Sequence, residues 1–191
     1  MANLRSHNGQ MILEEKGLAV PVLDIRTPST PGTGITTGVG TVYRQTVYKM
    51  GDVVKTEIYL NLKGLNSSTA GDIIGKDATA NCHLGQITTA KHGKLHAGRI
   101  SCLTAPATGE PDIDVVTLTI GTGTEDVAAS GLTGYVLRQD HAADYTAQGH
   151  FGVFTTVPAP NDYLYLVGSG GGDAATYTAG EFLIELWGYD V

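Results

Sequence analysis

The chain has 191 residues and a formal net charge of −7, with only 16 % charged residues, 41 % hydrophobic residues, 26 glycines and two cysteines. Twelve Lys and Arg against nineteen Asp and Glu exclude a protein built to neutralise phosphates, so neither a nucleic-acid partner nor an anionic membrane surface is expected. Low charge with glycine at about double the average usage of ~7 % fits short strands joined by turns in one domain, not a helical protein.

Residues 1–35 read as an extended N-terminal arm. Leu4, Met11, Ile12, Leu13, Leu18, Val20 and Val22 keep no sustained period, and Pro21, Pro28 and Pro31 break any helix beyond one short turn near residues 11–16. The opening residues lack the apolar stretch of a signal peptide, and no run approaches the ~18 apolar residues of a membrane-spanning helix. An isolated domain should not leave Leu4, Met11, Ile12 and Leu13 in water, so these four are the candidate interface residues.

The β pattern begins at residue 36 and defines a domain over 36–191. Residues 42–48 form a strand, and Gly51 with Asp52 suits a type II′ hairpin turn. Residues 53–62 alternate: Val54, Ile58, Leu60 and Leu62 face a core, while Lys55, Glu57 and Asn61 face water. Residues 64–75 are loop. Further strands are predicted at 78–89, 95–104, 113–120 and 152–157, with a short strand or helical turn at 135–137. Residues 162–167 and 178–190 read as a closing hairpin around the glycine-rich loop 168–172, which lacks the Gly-Lys-Ser/Thr of a phosphate loop. Many short strands without helices between them predict an all-β fold, an antiparallel β-sandwich of jelly-roll or Greek-key type with about eight strands. Its core holds Val54, Ile58, Leu60, Phe182, Ile184 and Leu186.

Candidate chemistry is thin. His92 and His96 would share a helix face at zinc-ligand spacing, but they flank Gly93 in a predicted hairpin, so they and His83, His141 and His150 are expected as exposed turn histidines. Asp112 and Asp114 share one face of a strand, a cation possibility weighed against a solvated strand end; Glu110, Glu125 and Asp126 make up the rest of the acidic clusters. Ser130, His141 and Asp144 supply the residue types of a triad without a motif that assembles them. Cys82 and Cys102 are expected as buried free thiols, with a cross-strand disulfide as the alternative. No enzyme activity, cofactor or metal is expected.

Several segments resemble small structural proteins of tailed bacteriophages of the marine type, the capsid decoration (head or cement) family. They are 80–87 (ANCHLGQI), 97–103 (AGRISCL), 111–114 (PDID), 163–166 (YLYL) and 177–190 (YTAGEFLIELWGYD). The resemblance covers most of residues 78–190 and none of 1–35. It implies a non-enzymatic virion protein on the capsid exterior, made in the host cytoplasm, with the major capsid protein and its own copies, as a homotrimer, for partners. The alternative expectation is a glycan-binding jelly-roll module of a tail fibre or baseplate, which would use Tyr43, Tyr48, Tyr59 and Tyr145 as exposed aromatics.

Overall fold

The computed structural model of the chain describes residues 3–7, 10–14, 23–141, 143–170 and 174–191. Every strand pairing in it is antiparallel. In chain order the elements are β1 (Asn3–His7), β2 (Gln10–Glu14), β3 (Leu23–Arg26), a one-turn helix α1 (Thr33–Thr36), β4 (Val42–Met50), β5 (Val53–Asn61), β6 (Asn66–Ser67) and β7 (Gly85–Gln86). A second one-turn helix α2 (Thr89–His92) precedes β8 (Lys94–Ala107), β9 (Ile113–Leu118), β10 (Val136–Gln139), β11 (Phe151–Val153), β12 (Tyr163–Gly168), β13 (Ala175–Thr176) and β14 (Ala179–Tyr189).

Two sheets make the sandwich. One has six strands in the order β11-β8-β14-β5-β4-β3, the other four in the order β10-β9-β12-β7. Alternation builds the inner face of the first: Ile58, Leu60, Ile100, Phe182, Ile184 and Leu186 are buried. They meet Ile113, Val115, Leu164 and Leu166 of the second sheet in one hydrophobic cluster. Strand β9 is buried along its whole length, because its other face is covered too. There Ile73, Cys82 and Ala129, from loops, pack onto Val116, Leu118, Tyr165 and Val167. This roof is pinned by Tyr165, whose hydroxyl donates to the Ile120 carbonyl at 2.8 Å and accepts the Gly123 N–H at 3.2 Å.

The β4–β5 hairpin forms as read. Met50 pairs with Val53 around a two-residue turn, and Gly51 takes φ 61, the left-handed first position of a type II′ turn. The predicted strand core residues are all buried, and both cysteines are free and buried.

Other expectations are corrected. The segments read as a closing hairpin do not pair: β12 lies between β9 and β7, while β14 lies between β5 and β8 in the other sheet. The chain therefore passes from one sheet to the other between β12 and β14, and residues 171–173 of the glycine-rich stretch lie outside the described set. Residues 78–89 are not a strand. Ala78 and Asn81 take φ 50 and 59, and only Gly85–Gln86 joins a sheet, because the segment serves as part of the roof and turns locally to do so. Of the short helical turn read near residues 11–16, residues 11–14 belong to strand β2 instead, and residues 15–16 lie outside the described residues. The last third of the arm is built into the domain: β3 pairs with β4, Ile35 is 1 % exposed, and Gly32 and Gly34 donate to the His83 and Asn81 carbonyls.

Candidate functional site

The four candidate interface residues lie in the β1–β2 hairpin. Backbone register sets Leu4 opposite Leu13, Ser6 opposite Met11 and Arg5 opposite Ile12. Among the described residues this ribbon is a two-stranded sheet of its own. Such a ribbon is marginal in water without a third strand or a packing partner.

The histidines divide by environment, and His92 overturns the expectation of an exposed turn residue. It is fully buried at the end of α2. Thr88 caps this turn and Gly93, at φ 70, leads out of it into β8. Because the Gln86 carbonyl beside Nε2 can only accept, the proton sits on Nε2, and Nδ1 accepts from the Thr56 hydroxyl at 2.8 Å. Nε2 in turn faces Ser29 Oγ at 3.0 Å and the Gln86 carbonyl at 3.3 Å. Ser29 Oγ donates its own proton to that carbonyl at 2.5 Å. The direction of these bonds is the reverse of nucleophile activation, in which the imidazole accepts from the hydroxyl. Burial pulls the imidazole down to about 4, with Lys91 and Arg26 nearby adding to the effect against the Gln86 bond. The network joins the Ser29 segment to α2 and β5. Arg26 reinforces it by donating to the Ala90 carbonyl at 3.0 Å and pairing with Asp190.

His83 packs edge-on against Tyr163 at 4.9 Å, and burial lowers its pKa. His96 stacks on Tyr189 at 4.6 Å. His141 stacks on Tyr145 at 3.8 Å and lines, with Asp144 and His150, an open depression of about 380 Å³. His141 Nδ1 bonds the Ala143 carbonyl, while Ser130 stands exposed on a turn at residues 129–131, so the structure does not assemble Ser130, His141 and Asp144.

Among the acidic residues, Asp114 in β9 accepts the His141 N–H at 2.8 Å, and Asp112 precedes the strand. Burial, then Asp114 and Glu110, push Asp112 up to about 6. These carboxylates repel one another, and among the described residues no group of three or more His, Cys, Asp or Glu converges as a metal site. No helix among the described residues is long and apolar enough to cross a membrane.

The surface feature that sequence reading missed is the outer face of the six-stranded sheet. Lateral register lays out its rows. Leu23, Met50, Val53 and Tyr189 are opposite one another across β3, β4, β5 and β14. Ile25, Tyr48, Lys55 and Trp187 form the next row. At the far edge Val153 and Phe151 of β11 pair with Arg99 and Ser101. Ile25 is 66 % exposed, Met50 56 %, Phe151 60 % and Val153 60 %. Between the two apolar ends lies an ion cluster. Glu185 accepts from Lys55 at 2.7 Å and from Arg99, and both cations sit 5.6 Å from the Trp187 ring centroid. Burial pushes Glu185 up, but the bonds from Lys55 and Arg99 outweigh it and hold the carboxyl below its usual range. A second depression, of about 330 Å³, lies on this face between Arg44, Glu57 and Tyr59.

Of the four tyrosines expected to be exposed, Tyr48 and Tyr59 are half-buried on this face. Tyr43 points inward and donates to the Leu84 carbonyl, and Tyr145 is fully buried against Phe182. The chain matches no protein-family model, and comparison with curated proteins and with solved structures finds no match.

Proposed function

We propose that this chain is a non-enzymatic structural protein of a tailed-bacteriophage virion, a capsid decoration protein that sits on the head exterior as a homotrimer and contacts the major capsid protein. The observation that carries a binding role is the asymmetry of the sandwich. One sheet is roofed by its own loops, while among the described residues no element packs over the other's outer face, where Ile25, Met50, Phe151 and Val153 are exposed. Large exposed apolar patches on soluble domains mark surfaces that meet another protein. The virion assignment rests on the resemblance of segments 80–87, 97–103, 111–114, 163–166 and 177–190 to phage head proteins. The two-stranded ribbon β1–β2, with no third strand among the described residues, suits a docking arm.

The mechanism is mechanical. A subunit bridging adjacent capsomers adds interface that must be broken before packaged DNA can part them, and a stable interface buries about 1,200–2,000 Å² in total. Mass spectrometry of purified virions tests the reading. A copy number comparable to the shell protein is expected; a few copies per particle would overturn it.

One observation favours a second reading, a glycan-binding module of a tail fibre or baseplate. The depression between Arg44, Glu57 and Tyr59 offers an aromatic ring beside charged hydrogen-bonding groups. Glycan-array binding lost in Tyr59→Ala would favour it.

A further inference from the structure

We infer that the outer face of the six-stranded sheet is where a second copy of this chain binds. The inference rests on reading that face as a binding surface; it does not require the virion assignment. Three features select the chain itself as occupant.

The first is charge. The chain carries −7, so two copies repel over most orientations. This face mixes four cations, Arg44, Lys55, Lys94 and Arg99, with three carboxylates, Glu57, Glu181 and Glu185, and Arg99 lies opposite Glu185, which leaves the face close to neutral. Two acidic copies can meet here without setting like charges against each other. A strongly charged partner, by contrast, finds no complementary field.

The second is size. Six strands about 4.8 Å apart span about 29 Å, and nine-residue β4 and β5 run about 30 Å, a footprint of roughly 850 Å². A standard interface buries about 800 Å² on each partner.

The third is composition and layout. Trp187, Tyr48, Tyr189, Met50 and Arg99 are the residue types that anchor protein interfaces, and Lys55 and Arg99 hold the indole in place from two sides. The apolar patches at the two edges differ: Ile25 and Met50 at the β3 end, Phe151 and Val153 at the β11 end.

Light scattering coupled to size exclusion at micromolar concentration tests this on the full chain. The wild type is expected as an oligomer. The double substitution Ile25→Glu with Met50→Glu should weaken association at least about tenfold. Phe151→Ser with Val153→Thr is the milder check at the opposite edge, and Val39→Glu, exposed but off the sheet, should leave the oligomer intact. Thermal melts confirm that each variant folds. A monomeric wild type would overturn the inference, as would an oligomer indifferent to both double substitutions. A monomer whose attachment to capsids is lost in Ile25→Glu with Met50→Glu would assign the face to the shell instead, leaving the decoration reading standing.

Discussion

Ser29 and His92, separated by 63 positions, meet in the core at 3.0 Å. The contact ties the segment leading out of β3 to the turn before β8, and burial keeps His92 in its neutral form. Its consequence is a dependence of stability on pH. The folded pKa of about 4 lies below the ordinary 6.5, so the unfolded chain takes up the proton first as pH falls. The contribution of neutral His92 is complete above pH 6.5 and is lost between there and pH 4. A shift of this size corresponds to roughly 3 kcal/mol. Asp112 works in the opposite sense: its pKa is raised to about 6, so its protonation on acidification favours the fold. The comparison of wild type with His92→Gln therefore isolates the effect. Urea midpoints should show the wild type more stable at pH 7, with the gap closing by pH 4; a gap that stays constant would contradict the assignment.

Phe182→Ala should destabilise the fold by about 3–5 kcal/mol. Phe182 is fully buried in β14, edge-on to Tyr145 at 5.1 Å, in the strand that joins β5 to β8. Chemical denaturation measures the loss, and a change below ~1 kcal/mol would show that the site repacks.

Cys82 and Cys102 should resist thiol reagents in the native protein. Both are buried, and burial pushes Cys82 up to about 11, with little thiolate at neutral pH. Labelling by an aromatic disulfide reagent is expected to be slow in buffer and fast in urea; rapid native labelling of either would refute this.

Two truncations separate arm from domain. Removing residues 1–20 spares β3 and everything after it, so circular dichroism and melting of the β core should change little while capsid attachment weakens. Removing residues 1–35 takes away β3, Ser29 and buried Ile35, and should lower the melting temperature sharply. Undiminished attachment of the shorter truncation would remove the docking role of Leu4, Met11, Ile12 and Leu13.

The strands themselves were legible because a half-buried strand writes its burial into alternate positions. Val54, Ile58 and Leu60 in β5 and Phe182, Ile184 and Leu186 in β14 show this. Alternation does not say which sheet a strand joins, so 162–167 and 178–190 read as neighbours although they belong to opposite layers. Nor does it register contacts between distant segments. His92 looked like a turn residue because Ser29 and Thr56, which enclose it, are 63 and 36 positions away. The outer face was hidden for the same reason. Lys55 and Glu57 marked it as wet, and only lateral pairing sets Ile25 beside Tyr48 and Met50 beside Val53. The acidic residues were read as sharing a strand face or a solvated strand end, but Asp112 lies before β9 and Glu110, Asp114 and Glu125 are buried, because neighbours distant in sequence cover them.

The position of β14 has a consequence for biosynthesis. The ribosome delivers β5 and β8 long before β14, yet β14 is the strand that lies between them. Until it emerges, two long strands hold open edges and an unfilled gap, and the sheet has no way to close. The nascent chain must therefore wait, with much of its apolar surface uncovered, for β14. Folding is then a single late event, set by long-range pairing and slow for that reason. A polypeptide lacking β14 would have its larger sheet split between β5 and β8 and open to aggregation and proteolysis, so this placement makes completion of the sandwich wait for translation of β14.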